Sequence, residues 1–95
     1  MPAYVIVDIS VHNPLEYEEY KKLSLPSLAP FDGKFIVRGG QTVALEGDWH
    51  PERIVVLEFP DKGKALDWWN SDIYASAKAI RQRTAETRMI VVEGI

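Results

Sequence analysis

Two segments of this chain are apolar on both faces of a strand, and that restricts the folds open to it. Tyr4–Val11 sets Val5, Val7, Ile9 and Val11 on one side and Tyr4 and Ile6 on the other. Arg53–Phe59 sets Val55, Leu57 and Phe59 against Ile54 and Val56. Strand side chains alternate with period two, so each segment carries two apolar faces. An antiparallel sheet ordinarily shows one face to water. Helices packed on the sheet cover one face. The other needs a different cover, and a second copy of the chain is the expected one.

Length and composition narrow the function. Ninety-five residues make one domain, 1–95, whose modest core gains stability from association. Nearly half the residues are hydrophobic, with three Trp, four Tyr and three Phe, which excludes a disordered chain. A formal charge of −3 and the lack of any Lys/Arg-rich run exclude a nucleic-acid surface. No cysteine means no disulfide, no thiolate nucleophile and no Cys-ligated zinc. His12 and His50 lack metal-ligand spacing. There is no G-x-G-x-x-G, phosphate loop or G-x-S-x-G elbow, so neither cofactor nor metal is expected. Met1-Pro2-Ala3 enters a strand directly, with no signal-like leader, and no apolar run reaches membrane-spanning length. A cytoplasmic protein without membrane contacts is the expectation.

Local signals order the elements. After a strand near Ala3–Val11, Asn13-Pro14 starts a helix, with Asn13 as N-cap and Pro14 at its first position. Leu15, Tyr20 and Leu23 form its inward stripe, and Pro26 and Pro30 break it or confine it to short pieces. Asp32-Gly33 turns into a strand, Lys34–Arg38. Gly39-Gly40 then either ends that strand, opening a loop to Glu52, or forms a bulge within one long bent strand. The bulge is preferred because Thr42-Val43-Ala44-Leu45 looks extended. It places the turn at Gly47–Pro51, with Glu46 facing Arg53 and Thr42 facing Leu57. The third strand closes at Phe59-Pro60. Asp61 caps a helix in which Trp68 and Trp69, at adjacent positions, divide between core and partial exposure, and Ser71 caps a second piece with a stripe of Ile73, Ala77 and Ile80. Thr87–Glu93 is the last strand.

The order strand, helix, strand, strand, helix, strand is that of an α+β, ferredoxin-like domain: a four-stranded antiparallel sheet with helices on one face. The bare face, with Tyr4, Ile6, Val43, Leu45, Ile54 and Val56, then marks an interaction surface. A homodimer through these faces encloses a barrel-like space.

Three charges interrupt the bare face: Asp8, Arg38 and Glu58. The preferred register sets Arg38 beside Pro60, diagonal to Glu58, with Tyr4 close and Asp8 further along. As a binding pocket, Arg38 holds an anionic or carbonyl group and Glu58 or Asp8 serves as base. As structure, Arg38 and Glu58 are an ion pair at the dimer seam. Tyr74 and Arg81, seven apart on a helix, either rim the pocket mouth or do local work, Tyr74 packing with its hydroxyl exposed and Arg81 capping carbonyls or pairing with an acid. The Trp49-His50 turn is expected to be solvated.

Phe35-Ile36-Val37-Arg38-Gly39-Gly40, Leu45-Glu46-Gly47, Pro51-Glu52-Arg53 and Val56-Leu57-Glu58-Phe59-Pro60, with Ala65, Trp68, Asn70-Ser71, Tyr74, Arg81 and Val91-Val92-Glu93-Gly94, resemble in order the domain-of-unknown-function family numbered 1330. The resemblance spans almost the whole chain. It implies a dimeric α/β barrel and offers Arg38, Glu58, Tyr74 and Arg81 as pocket positions without assigned roles. The wider superfamily contains cofactor-free monooxygenases and muconolactone-isomerase-like proteins, an analogy of fold. Two functions follow as expectations: binding or transformation of a small, partly apolar or carboxylated molecule in a cleft beside the dimer interface, or a non-catalytic sensing or stress-related dimer whose charges are structural.

Overall fold

The strands and helices assemble as expected, and one extra residue in the second strand decides which side chains share a face. The computed structural model covers residues 1–95. It runs β1 (Ala3–Val11), α1 (Pro14–Leu28), a 3₁₀ turn (Ala29–Phe31), β2 (Lys34–Arg38), β3 (Arg53–Phe59), α2 (Lys62–Trp69), α3 (Asp72–Thr84) and β4 (Ala85–Glu93). The sheet order is β2-β3-β1-β4, and each neighbouring pair is antiparallel. This is the ferredoxin-like α+β fold. No helix is long and apolar enough to cross a membrane.

The caps are those the sequence signals. Asn13 Oδ1 accepts from Glu16 N at 3.3 Å, Asp61 Oδ1 from Lys64 N at 2.8 Å, and Ser71 Oγ from Tyr74 N at 3.1 Å. Each satisfies a first-turn amide that has no partner within its helix. Pro26 does not break α1, which continues to Leu28. In the last turn the proline removes a single amide bond, and the 3₁₀ turn takes over where Pro30 enters.

Val5, Val7 and Ile9 of β1 and Val55, Leu57 and Phe59 of β3 are buried against Tyr17 and Leu28 of α1, Ala65 and Trp68 of α2, and Tyr74 and Ala77 of α3. All three helices therefore cover one face. Two helical stripes differ from expectation. In α1, Leu15 and Leu23 are exposed, and Tyr17, Ser24, Ser27 and Leu28 are buried, with Tyr20 against the core. In α3 the inward stripe is Tyr74, Ala77, Arg81 and Thr84, one residue on from Ile73, which faces out. Hydroxyls and a guanidinium thus point inward where leucines and isoleucines were expected, because hydrogen-bond partners await them there.

The long bent strand is not formed. β2 ends at Arg38, and Gly39–Glu52 is loop. Gly39 has φ 74°, a left-handed conformation that turns the chain out of the ladder while its N–H still donates to Ile54 O at 2.9 Å. Glu46 and Thr42 therefore face no β3 partner, and Val43 and Leu45 lie in the loop, not on the sheet. A bulge does exist, three residues earlier than expected. Phe35 pairs with Leu57, Val37 with Val56 and Arg38 with Val55, leaving Ile36 as the extra residue.

Opposite the helices, Ile90, Ile6, Val56 and Val37 stand side by side across all four strands in the order β4-β1-β3-β2. Ile90 is 61% exposed. This row is an apolar band open to water in a single chain.

Candidate functional site

The bulge builds the site. In an unbroken strand, Phe35 and Arg38 would lie on opposite faces. With Ile36 inserted, both fall on the helix side, and the Arg38 guanidinium stacks 4.4 Å from the Phe35 ring centroid. Arg53 reaches the same side because it shares the parity of Val55, Leu57 and Phe59. Here β2 and β3 face α1 across a narrow cleft. Arg38 and Arg53 line it, together with Tyr17, Tyr20, Lys21 and Ser24 of α1, over a floor that includes Phe35, Leu57, Trp68 and Met89. About 30 Å³ of it admits the centre of a water, enough for a water or two.

Gly39 makes room for Arg53. A Cβ at Gly39 would stand 2.8 Å from Arg53 Cζ and closer still to Nη1. The guanidinium thus lies against bare backbone, with its Nε buried and without a hydrogen-bond partner.

The charge arrangement is one-sided. Of five arginines, Arg83 pairs with Glu16 and Arg88 with Asp8. Arg38, Arg53 and Arg81 make no salt bridge. No Asp, Glu or His lines the cleft. Arg81 is only 3% exposed. Its Nε donates to Tyr74 Oη at 3.3 Å and its Nη1 to Thr87 Oγ1 at 2.7 Å, while Nη2 has no partner. Tyr74 Oη is 3.0 Å from Tyr20 Oη. Burial pushes the Tyr20 hydroxyl well above the ordinary phenol range, and its contact with Tyr74 adds to the rise. Burial also raises Tyr17, while the Arg53 charge pulls the other way. Both phenols therefore stay protonated at neutral pH and present donors, not bases.

The six candidate residues divide between the two faces of the sheet. Arg38 lines the helix-side cleft, and Tyr74 and Arg81 stand behind Tyr20 in the core. Tyr74 is fully buried with its hydroxyl bonded, and Arg81 neither caps carbonyls nor meets an acid. Tyr4, Asp8 and Glu58 lie on the open face. The Arg38–Glu58 pair is absent: β2 runs antiparallel to β3, so Lys34 meets Glu58, at 3.1 Å, and Arg38 sits opposite Val55 on the other face. Asp8 accepts from the Trp49 indole at 3.0 Å and from Arg88 Nη2 at 2.7 Å, which together hold its carboxyl below the usual range despite partial burial. Trp49 thus tethers the long loop to the open face. Sequence reasoning overlooked Arg53 and Tyr17 as site residues. Arg53 was legible from its strand parity, and Tyr17 from the 17, 20, 24, 28 spacing of a helical face.

The model of the family described as Domain of unknown function (DUF1330) matches residues 2–95, and the chain belongs to that family. No curated protein matches the chain. Among solved structures, a protein of unknown function from Rhodopseudomonas palustris superposes with a TM-score of 0.79 at 19% identity, covering 99% of this chain and 82% of that one. A dimeric ferredoxin-like protein of unknown function from Jannaschia sp. gives 0.73 at 17%, covering 99% of this chain and all of that one. SnoaB, a cofactor-independent oxygenase from Streptomyces nogalater, gives 0.67 at 13%, covering 99% and 93%. At these identities the likeness is one of fold.

Proposed function

We propose that this DUF1330 protein is a homodimer that binds a small, partly apolar carboxylate in the helix-side cleft of each subunit. One observation carries the ligand reading: two arginines without carboxylate partners, Arg38 and Arg53, line a cleft that contains no acid, and a third, Arg81, stands behind its Tyr20 wall. Arg53 is half-buried with its Nε unpartnered, and a bound anion supplies the counter-charge it lacks. Arg38 and Arg53 at the opening suit a planar carboxylate, and the Phe35–Trp68–Met89 floor suits an apolar body. Titration calorimetry with benzoate, and with neutral benzamide for comparison, tests this. Benzoate binds, benzamide does not, and Arg53→Gln weakens benzoate by about 10- to 150-fold, the worth of a charge-assisted hydrogen bond. Equal binding of both probes, or of neither, overturns the proposal.

The homodimer rests on the apolar band Ile90–Ile6–Val56–Val37 and on the dimeric state described for the Jannaschia relative. Burying an aliphatic side chain contributes roughly 1.5–3 kcal/mol. The band, covered on both partners, offsets an association cost of several kcal/mol. The cleft lies on the opposite side of the sheet, so ligand and partner do not compete for one surface. Cytoplasmic residence belongs to the same proposal.

A further inference from the structure

We infer that the inner wall of the cleft is an oxyanion pole, where the Tyr20 hydroxyl, backed by Tyr74 and Arg81, holds the ionised oxygen of a small phenol or enol. The inference rests on reading the cleft as an anion site and adds a second oxygen position to it.

A count of hydrogens carries the argument. Arg81 Nε–H donates to Tyr74 Oη, and the Tyr74 and Tyr20 hydroxyls, 3.0 Å apart, share one further bond. Two phenolic hydrogens are present and that bond uses one. The other would be sealed in the core if it stayed on Tyr74, which is fully buried. With Tyr74 donating to Tyr20, the free hydrogen belongs to Tyr20, which lines the cleft. That direction runs from cation to cleft: Arg81 polarises Tyr74, Tyr74 polarises Tyr20, and Tyr20 presents a strengthened donor. Because burial keeps Tyr20 protonated, it meets an anion as a donor and does not compete with it as a second phenolate. The walls suit a flat, conjugated body, with the Trp68 ring backed by Tyr74 at 4.0 Å and Phe35 and Met89 on the sheet side.

The titratable and charged groups facing this pole are Tyr17, Tyr20 and Lys21 from α1, Tyr74 and Arg81 from α3, Arg38 from β2 and Arg53 from β3; none is acidic. The positive charges and the Tyr20 donor stabilise the anion, and with no base in the cleft the phenol's proton is left to bulk water. The cleft therefore makes its guest a stronger acid, lowering its pKa.

The probe is 4-nitrophenol, whose anion is read directly by absorbance. Bound to the native protein, its pKa is expected to fall by about 1–3 units, as for an ionisable group beside an opposite charge. Tyr20→Phe, which removes one oxygen from a folded protein, returns the bound pKa toward the free value, and Tyr74→Phe does so in part. Circular dichroism confirms that each variant is folded. Benzoate separates the two readings: if the native protein fails to bind it, the anion site itself is wrong. If benzoate binds while bound nitrophenol keeps its free pKa, or if Tyr20→Phe leaves the shift intact, the oxyanion pole is wrong.

Discussion

Replacing Gly39 by alanine separates two jobs of one residue. Gly39 has φ 74°, and an L-residue held there costs about 1–2 kcal/mol. In a domain of this size each kcal/mol lowers Tm by roughly 4–8 °C. The new Cβ also lands 2.8 Å from Arg53 Cζ, so the guanidinium must leave its seat, and benzoate affinity falls by the same order of about 10- to 150-fold as for Arg53→Gln. Two other glycines provide controls. Gly47 has φ 81° but nothing within 4 Å of an added Cβ, so Gly47→Ala keeps the strain and spares the ligand. Gly40 has neither a positive φ nor a neighbour within 4 Å, so Gly40→Ala is close to neutral in both. Calorimetry gives affinity and thermal melting gives Tm. In an Arg53→Gln background, Gly39→Ala should still lower Tm but no longer weaken benzoate, because the group it displaces is already gone. If the affinity loss persists in the double variant, or Gly40→Ala weakens benzoate as much as Gly39→Ala, the account of Arg53 is wrong.

Further outcomes follow from both faces of the sheet. Ile6→Asp places a charge at the centre of the apolar band and should halve the sedimenting mass while the fold, read by circular dichroism, survives; an unchanged mass would rule out this face as the dimer surface. The folded-state pKa of Asp8 is depressed, so the stability it lends is full above about pH 4 and is lost as pH falls through its lower folded value. Asp8→Asn should therefore cost about 1 kcal/mol at neutral pH, with wild type and variant converging in acid; a constant gap in urea melts across that range would refute the linkage. Ser27→Ala strips the Trp68 indole N–H of its acceptor at 3.0 Å inside the core, an expected loss of about 1–3 kcal/mol in thermal melts, and no loss would mean the indole finds another acceptor.

What the sequence disclosed depended on which periodicity carried the signal. Period-two alternation and the capping residues Asn13, Asp61 and Ser71 placed three of the four strands, the start of the second and both helical regions, because those features are local. The helical stripes slipped because apolarity was used as the index of burial. Ser24, Ser27 and Arg81 go inward because their polar atoms find partners there: Lys21 O for Ser24, the Trp68 indole 41 residues on for Ser27, and Tyr74 and Thr87 for Arg81. No local pattern reports the distant ones. The bulge was misplaced for a related reason. Gly39-Gly40 reads as irregular backbone, whereas the extra residue is Ile36, an ordinary strand former that nothing in its neighbours marks. A one-residue slip in a strand inverts every side chain beyond it, so the misplaced bulge bears on the face of Arg38, while the turn expected at Gly47–Pro51 set its partner five residues off, at Pro60 and not Val55.

That slip also bears on how the sheet divides its work. With Arg38 on the open face, a guanidinium would stand within the band formed by Val37, Val56, Ile6 and Ile90, and a second copy would bury an unpaired charge there. With the bulge, Val37 completes the band and Arg38 joins Arg53 beneath α1. One inserted residue thus clears the proposed dimer face of a cation and supplies the cleft with one. The acids follow the same division: Asp8 and Glu58 lie on the open side, where Arg88 and Lys34 pair with them, and none enters the cleft. A chain of net charge −3 therefore holds a cleft lined by positive charge alone. The Debye length is about 10 Å at 0.1 M salt, so added salt screens the exposed pairs on the open face more than it screens a guest seated between Arg53 and the buried tyrosines.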